Sequence, residues 1–229
     1  LFRSKLNGGY DKYNSSLREA NNLMYASSVG TGLRIEELNQ ALIGLSTNFI
    51  GLTTQSADSI KGMGTAVAQL GKLGVDAGTA SKSFDSLVVA MGKTPQQAIK
   101  IQDSFVQMAA KNRLALGSMV QAFTENSSRF IGFGEQMTKV LEGLAEQSLK
   151  TGVSIKGLVS IAEGFDTFED AARKVGNLNA LLGGDYLNSI EMLTASDDER
   201  IKLMKEAVSA SGMEWESMNR LQQKAIANA

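Results

Sequence analysis

The sequence holds no cysteine and no histidine among its 229 residues. The first absence excludes a disulfide framework and any thiolate nucleophile or thiolate metal site. The second removes the commonest metal ligand and the general base best matched to neutral pH. Proline occurs once and tryptophan once, and aromatics make up 6% of the chain. Stacking platforms for bases are therefore scarce. Excess charge is lacking too: 23 Lys and Arg stand against 24 Asp and Glu. That balance argues against a basic nucleic-acid footprint. No charged segment followed by an apolar run marks a signal peptide at the start. The chain begins at Leu1 and ends in a helical pattern without a stop signal, so it reads as a piece of a longer polypeptide.

Long hydrophobic runs are also missing. The longest uncharged stretch, residues 38–57 (LNQALIGLSTNFIGLTTQSA), has the length to span a bilayer but is rich in Asn, Gln, Ser and Thr. It reads as a buried helix hairpin with polar turns in preference to a membrane segment.

What is present is helical period. Apolar residues recur at three- and four-residue spacing, and period-2 alternation is almost absent. Stripes run through residues 10–27, 35–45, 60–73 and 79–91. Thr94 caps the next helix, with Pro95 at its first position. Further stripes cover residues 116–123, 135–149 and 155–165. A helix over 164–184 starts at Asp166 or Thr167, carries Gly176, Asn177 and Asn179 in its interior, and closes at Gly183-Gly184. Ser196-Asp197-Asp198-Glu199 forms a capping box for a helix that Gly212 stops. Trp215, Met218, Leu221, Ala225 and Ile226 mark a last stripe. The predicted class is all-α, many short helices in helical hairpins.

Weak repeats of about 40 residues appear in TGLRIEEL (31–38), LGVDAGTA (73–80), NRLALGSM (112–119) and TGVSIKGL (151–158). Three regions are expected: 1–29, a helix and linker; 30–164, a Gly-rich helical region; and 165–229, the C-terminal helical segment.

No motif carries chemistry. The carboxylate groups Glu36-Glu37, Asp166 with Glu169 and Asp170, and Asp197-Asp198-Glu199 all sit at helix starts, where they complement the macrodipole. SDDERIKLM lacks the alternation of a calcium loop. No phosphate-binding GxxxxGK[ST] and no GxSxG elbow occur, and Gly62-Met63-Gly64 and Gly132-Phe133-Gly134 follow no strand. The ten methionines lie at helical spacing and read as packing residues. No catalytic residue, cofactor or metal site is expected.

The run GFDTFEDAARKVGNLNALLGGDYLNSIEML, followed by SDDERIKLMKEAVSASGMEWESMNRLQQKAIANA, resembles the tail tape-measure proteins of long-tailed bacteriophages. The resemblance lies in an F(D)xFxxAxxxVGxLNxxLGG helix, a connection bearing (Y/F)LNSxE, an (S/T)xxxR helix start, and a final SGxx(W/F)xxM helix ending in KxAIA. It covers Phe165 to Ala227 well, and residues 30–164 share the looser helical style. The resemblance implies a structural virion protein inside the tail tube or at the tail tip or baseplate, setting tail length during assembly and leaving at genome ejection. It implies self-association as a homo-oligomer, commonly a trimer, and contacts with the tail-tube protein and the baseplate or tail-tip hub proteins. It implies no sequence-specific nucleic-acid partner, and membrane contact only at the host envelope during infection. Wholly helical, a chain of this length would reach about 340 Å. The breaks every 10–20 residues point instead to a compacted helical segment. Membrane-active translocator or pore former, and helical-repeat adaptor, are the other readings. Expected packing and interaction residues are Phe165, Phe168, Val175, Leu178, Leu181 and Leu182, with Trp215, Met218 and Leu221 in the last stripe. Asn177 and Asn179 are expected to bond across helices or to another copy.

Overall fold

The computed structural model describes residues 14–26 and 32–213, and among them there are helices and turns but no strand. The fold is all-α, as the periodicity requires. It divides into two compact units, residues 1–137 and 138–229. The division falls inside the predicted 30–164 region, because residues 138–163 fold with the C-terminal helices.

In the first unit, α1 (14–26) buries Ala20 and Met24. α2 (Ile35–Asn48) follows, then a 3₁₀ turn at Ile50–Thr54 and α3 (Ala57–Lys72). The uncharged 38–57 stretch is thus a helix, a break and a second helix start. Among the described residues no helix is long and apolar enough to cross a membrane. α4 (Ala77–Asp85) runs on into a π-helical turn, Ser86–Ala90, which completes the predicted 79–91 element. α5 (Pro95–Lys111) opens with the expected Thr94 cap and Pro95, and the Gln97 Oε1 accepts in return from the Thr94 N–H at 2.9 Å. α6 (Leu116–Glu125) and the six-residue α7 (Ser127–Gly132) close the unit, with a 3₁₀ turn at Gly134–Gln136.

Packing within this unit is serial. α2 lies beside α4 and α4 beside α6, while α3 packs on α2, α4 and α5. Small residues set the spacing: a Cβ on Gly44 of α2 would stand 2.9 Å from the Ala77 carbonyl oxygen at the start of α4. The centre is aromatic. Phe84, Phe105, Phe123 and Phe130 are fully buried, with Phe105 and Phe123 edge to face at 5.1 Å.

The second unit holds α8 (Met137–Thr151, all but its first residue), α9 (Ile155–Glu163), α10 (Phe168–Leu182), α11 (Ser189–Thr194) and α12 (Asp197–Ala210). α9 packs on α12, and α10 on α11. α11 falls within what the sequence presents as a connection.

The weak repeat has a structural counterpart. Besides Gly92, Gly134, Gly183 and Gly212, left-handed backbone occurs at Gly32, Gly74, Arg113 and Gly152, spaced 42, 39 and 39 residues apart. Each is followed two residues later by the residue that precedes a helix: Arg34, Asp76, Ala115 and Ser154. The last three turns also share a lysine two residues earlier, at Lys72, Lys111 and Lys150. There a cation faces the negative helix end. Two of the turns close alike, with Val75 N–H to Leu70 O at 3.0 Å and Leu114 N–H to Ala109 O at 2.9 Å. These are the six-residue bonds of a Schellman motif.

Candidate functional site

The segment that carries the resemblance begins at Phe165, which is fully buried and has the Lys174 ammonium 5.6 Å from its ring centre. Thr167, not Asp166, caps α10, its hydroxyl oxygen accepting from the Asp170 N–H at 3.1 Å. Arg173 donates to the Asp170 carboxylate and, with the Thr167 hydroxyl, holds its pKa below the usual value. Ala171, Val175, Leu178 and Leu182 form the buried stripe of α10. They join Phe165, Leu187, Met192 and Ala207 in one apolar core.

Asn179 explains why an unfavourable helix residue sits in this helix. Its side-chain oxygen accepts from the N–H groups of Tyr186 (3.1 Å) and Leu187 (2.9 Å), and its amide donates to the Leu187 carbonyl at 2.8 Å. The whole amide is thus spent on the connection eight residues on. Gly183, with φ of 79°, turns the chain into that connection. Asn188 ends it by capping α11, accepting from Ile190 and Glu191. Asn177 is exposed.

Arg200, the arginine of the (S/T)xxxR start, lies in the first turns of α12 with its side chain 6% exposed. Its guanidinium donates to the carbonyls of Met192 (2.7 Å), Leu193 (2.9 Å) and Ala162 (2.8 Å) and to the Asp166 carboxylate (2.6 Å). Met192 and Leu193 lie in the last turn of α11, and Ala162 in the last turn of α9. One cation therefore donates to carbonyls at two helix ends, of which Ala162 also accepts the Phe165 N–H at 3.1 Å.

The capping box of α12 forms as expected, with the Ser196 N–H donating to Glu199 at 3.0 Å and holding that carboxyl below its ordinary pKa. Asp198 has the opposite environment. It receives the Ser196 hydroxyl at 2.8 Å but lies against Gly143 of α8, and burial pushes its pKa up. A Cβ on Gly143 would meet the Asp198 Cβ at 2.6 Å.

Of the expected packing residues, Phe165, Val175, Leu178 and Leu182 lie in the apolar core and Leu181 is half-buried. Phe168 is 65% exposed and outside that core, because Phe165 fills the place at the entrance of α10. Trp215, Met218 and Leu221 lie outside the described residues. The roles of Arg200 and Asn179 escape a reading by periodicity. The available signals were an arginine one turn into a capped helix and an asparagine in a helix interior.

One concavity of this unit is a cleft of about 610 Å³ between α9, α10 and α12. Leu158, Leu182 and Ile201 form its buried wall, and Ile161, Met204 and Val208 its half-buried lip, with Lys205 at the rim. Among the described residues no group of three or more acidic side chains is placed to share a metal ion. No protein-family model, curated protein or solved structure matches this chain.

Proposed function

We propose that this chain is a structural segment of a phage tail tape-measure protein. It sits in the tail-tube lumen or at the tail tip or baseplate, takes part in fixing tail length during assembly, and is released at genome ejection. One observation supports the reading: several residues of the resembling motif tie the second unit together. Asn179, Gly183, Asn188 and Arg200 close a connection and cap helix ends. A motif whose spacing answers folding needs serves architecture. In this reading the protein is no enzyme and uses no cofactor. Its partners are copies of itself, as a trimer, together with tail-tube and hub proteins, and it meets a membrane only at the host envelope.

The segment acts folded, not as a straight rod. The longest helix among the described residues is α5, with 17 residues, or about 26 Å. Successive left-handed turns redirect the chain between helices. The same turns favour a second reading, a helical-repeat adaptor, since their regular spacing is what such arrays require.

The test is mass spectrometry of purified tails before and after DNA release. Peptides of this chain are expected in intact tails and depleted from spent ones. Their absence from intact tails would overturn the proposal and leave the adaptor reading.

A further inference from the structure

α12 begins against α8, and the meeting point is a carboxylic acid on a glycine. A Cβ on Gly143 would collide with the Asp198 carboxylate oxygen and stand 2.6 Å from its Cγ, so the acid is seated directly on the α8 backbone. The seat lies in a groove of about 560 Å³ between the two helices. Gln147, one turn beyond Gly143, lines the same groove, and its buried side-chain oxygen has no hydrogen-bond partner among the described residues. An ionised Asp198 thus adds a second acceptor to a groove that already holds one unmatched, whereas the protonated acid brings a donor. The surrounding charges do little for the anion. Glu199, its neighbour on α12, opposes ionisation, and burial does so more strongly. Lys150 pairs with Glu146 on α8, and Lys202 with Glu206 on α12. Lys139 of α8 acts on Glu199. Glu142 precedes the seat on α8, and Lys205 lines the groove from α12.

We propose that Asp198 on Gly143 is a proton-operated latch between α8 and the start of α12: the neutral acid stays seated, and its ionisation lets the first turn of α12 lift from α8. Arg200 lies two residues on, so the lift reaches the carbonyls it holds at the ends of α9 and α11. The sign is opposite to that of the capping box beside it. Asp198 has its folded-state pKa raised, so the contact strengthens as pH falls through that raised value toward the ordinary carboxylate range. Glu199 has its folded-state pKa lowered, so its contribution is complete above its ordinary value and is lost as pH falls from there through the depressed one. Local stability at the start of α12 therefore passes through a maximum at mildly acidic pH.

Amide hydrogen exchange of the full chain, corrected for the intrinsic pH dependence of the chemistry, reads the lift directly. The reporters are the N–H of Arg200, which bonds to the Ser196 carbonyl at 2.9 Å, and those of Ile201 and Lys202 that follow it. Their opening constants should fall several-fold between neutral and mildly acidic pH and rise again below the carboxylate range, with the amides of α5 as the reference. Asp198→Asn keeps the shape of the side chain and removes its charge. It should hold the opening constants low throughout the upper limb. Glu199→Gln should abolish the rise on the acid side and leave the fall intact. Opening constants that stay flat from neutral to mildly acidic pH would overturn the latch. A fall that persists in Asp198→Asn would overturn it too, and would assign the pH dependence to another acid of the groove.

Discussion

Replacing Arg200 with alanine removes the donor to four acceptors, of which the Ala162 carbonyl keeps the Phe165 N–H at 3.1 Å. Three are backbone carbonyls at the ends of α9 and α11, and the fourth is the Asp166 carboxylate. Asp166 is 41% exposed, so water recovers much of its solvation and that ion pair contributes little, but Asp197, 1% exposed and 3.8 Å from the same guanidinium, loses a buried cation. The carbonyls matter more. Hydrogen bonds to a charged donor contribute about 1.5–3 kcal/mol each, and a buried acceptor left without a partner costs about 1–3 kcal/mol. Partial rehydration of the cavity offsets some of this loss. Arg200→Ala should therefore destabilise the second unit by about 3–5 kcal/mol, the range for breaking a buried charged pair. Arg200→Lys should recover only a minor part, because one ammonium cannot reach two helix ends in the planar fork geometry. The assay is urea unfolding followed by circular dichroism, with hydrogen exchange to locate the loss. Protection should fall first in α9, α11 and α12, with α2–α5 unaffected. A midpoint within the error of the parent chain, or an Arg200→Lys variant as stable as the parent, would refute the account of Arg200 as the cap of two helices.

Three further outcomes are expected. Asn179→Ala should cost about 1–2 kcal/mol for its lost bonds to the connection, and should speed amide exchange at Tyr186 and Leu187 ahead of the rest of α10. Arg113 has φ of 53°, where a Cβ costs about 1–2 kcal/mol and glycine does not. Arg113→Gly should therefore raise stability by up to about 1 kcal/mol after glycine's entropy cost, and a lowered melting temperature would contradict the turn geometry. Asp198 has its folded-state pKa raised by burial, so the fold favours its protonated form. Its contribution improves as pH falls through the raised folded value toward the ordinary unfolded one, and is a penalty above that window. Asp198→Asn should thus be more stable than the parent at neutral pH, with the difference shrinking on acidification. A difference independent of pH would show that Asp198 is not the group responsible.

The sequence made most helices legible because their apolar stripes are long enough to show a period. Ends were legible at Thr94-Pro95 and Ser196–Glu199, while the side-chain caps at Ser56, Asp76, Ser154 and Asn188 were not read. Short elements escaped: α7 and α11, at six residues each, span less than two turns and leave no period to read. The placement of Phe168 was missed for a related reason. A stripe assigns a face but not the point along a helix where its partners begin, and Phe165 already fills the core at that entrance. The partners of Asn179 and Arg200 lay beyond a periodic reading because they are backbone groups of other segments, and periodicity describes only one element's own surface. The apolar cleft is a property of three helices together, so no single stripe announces it.

The left-handed turns at 74, 113 and 152 have a consequence for how such a chain changes over generations. Each joint is local: a lysine, a reversed residue, an aliphatic follower (Val75, Leu114 or Val153) and a helix start, all within six positions. A recombination event between two such joints removes or duplicates the intervening 39 residues and leaves an intact joint at the seam. Length then becomes a trait inherited in discrete steps, adjustable by copying without inventing a new connection.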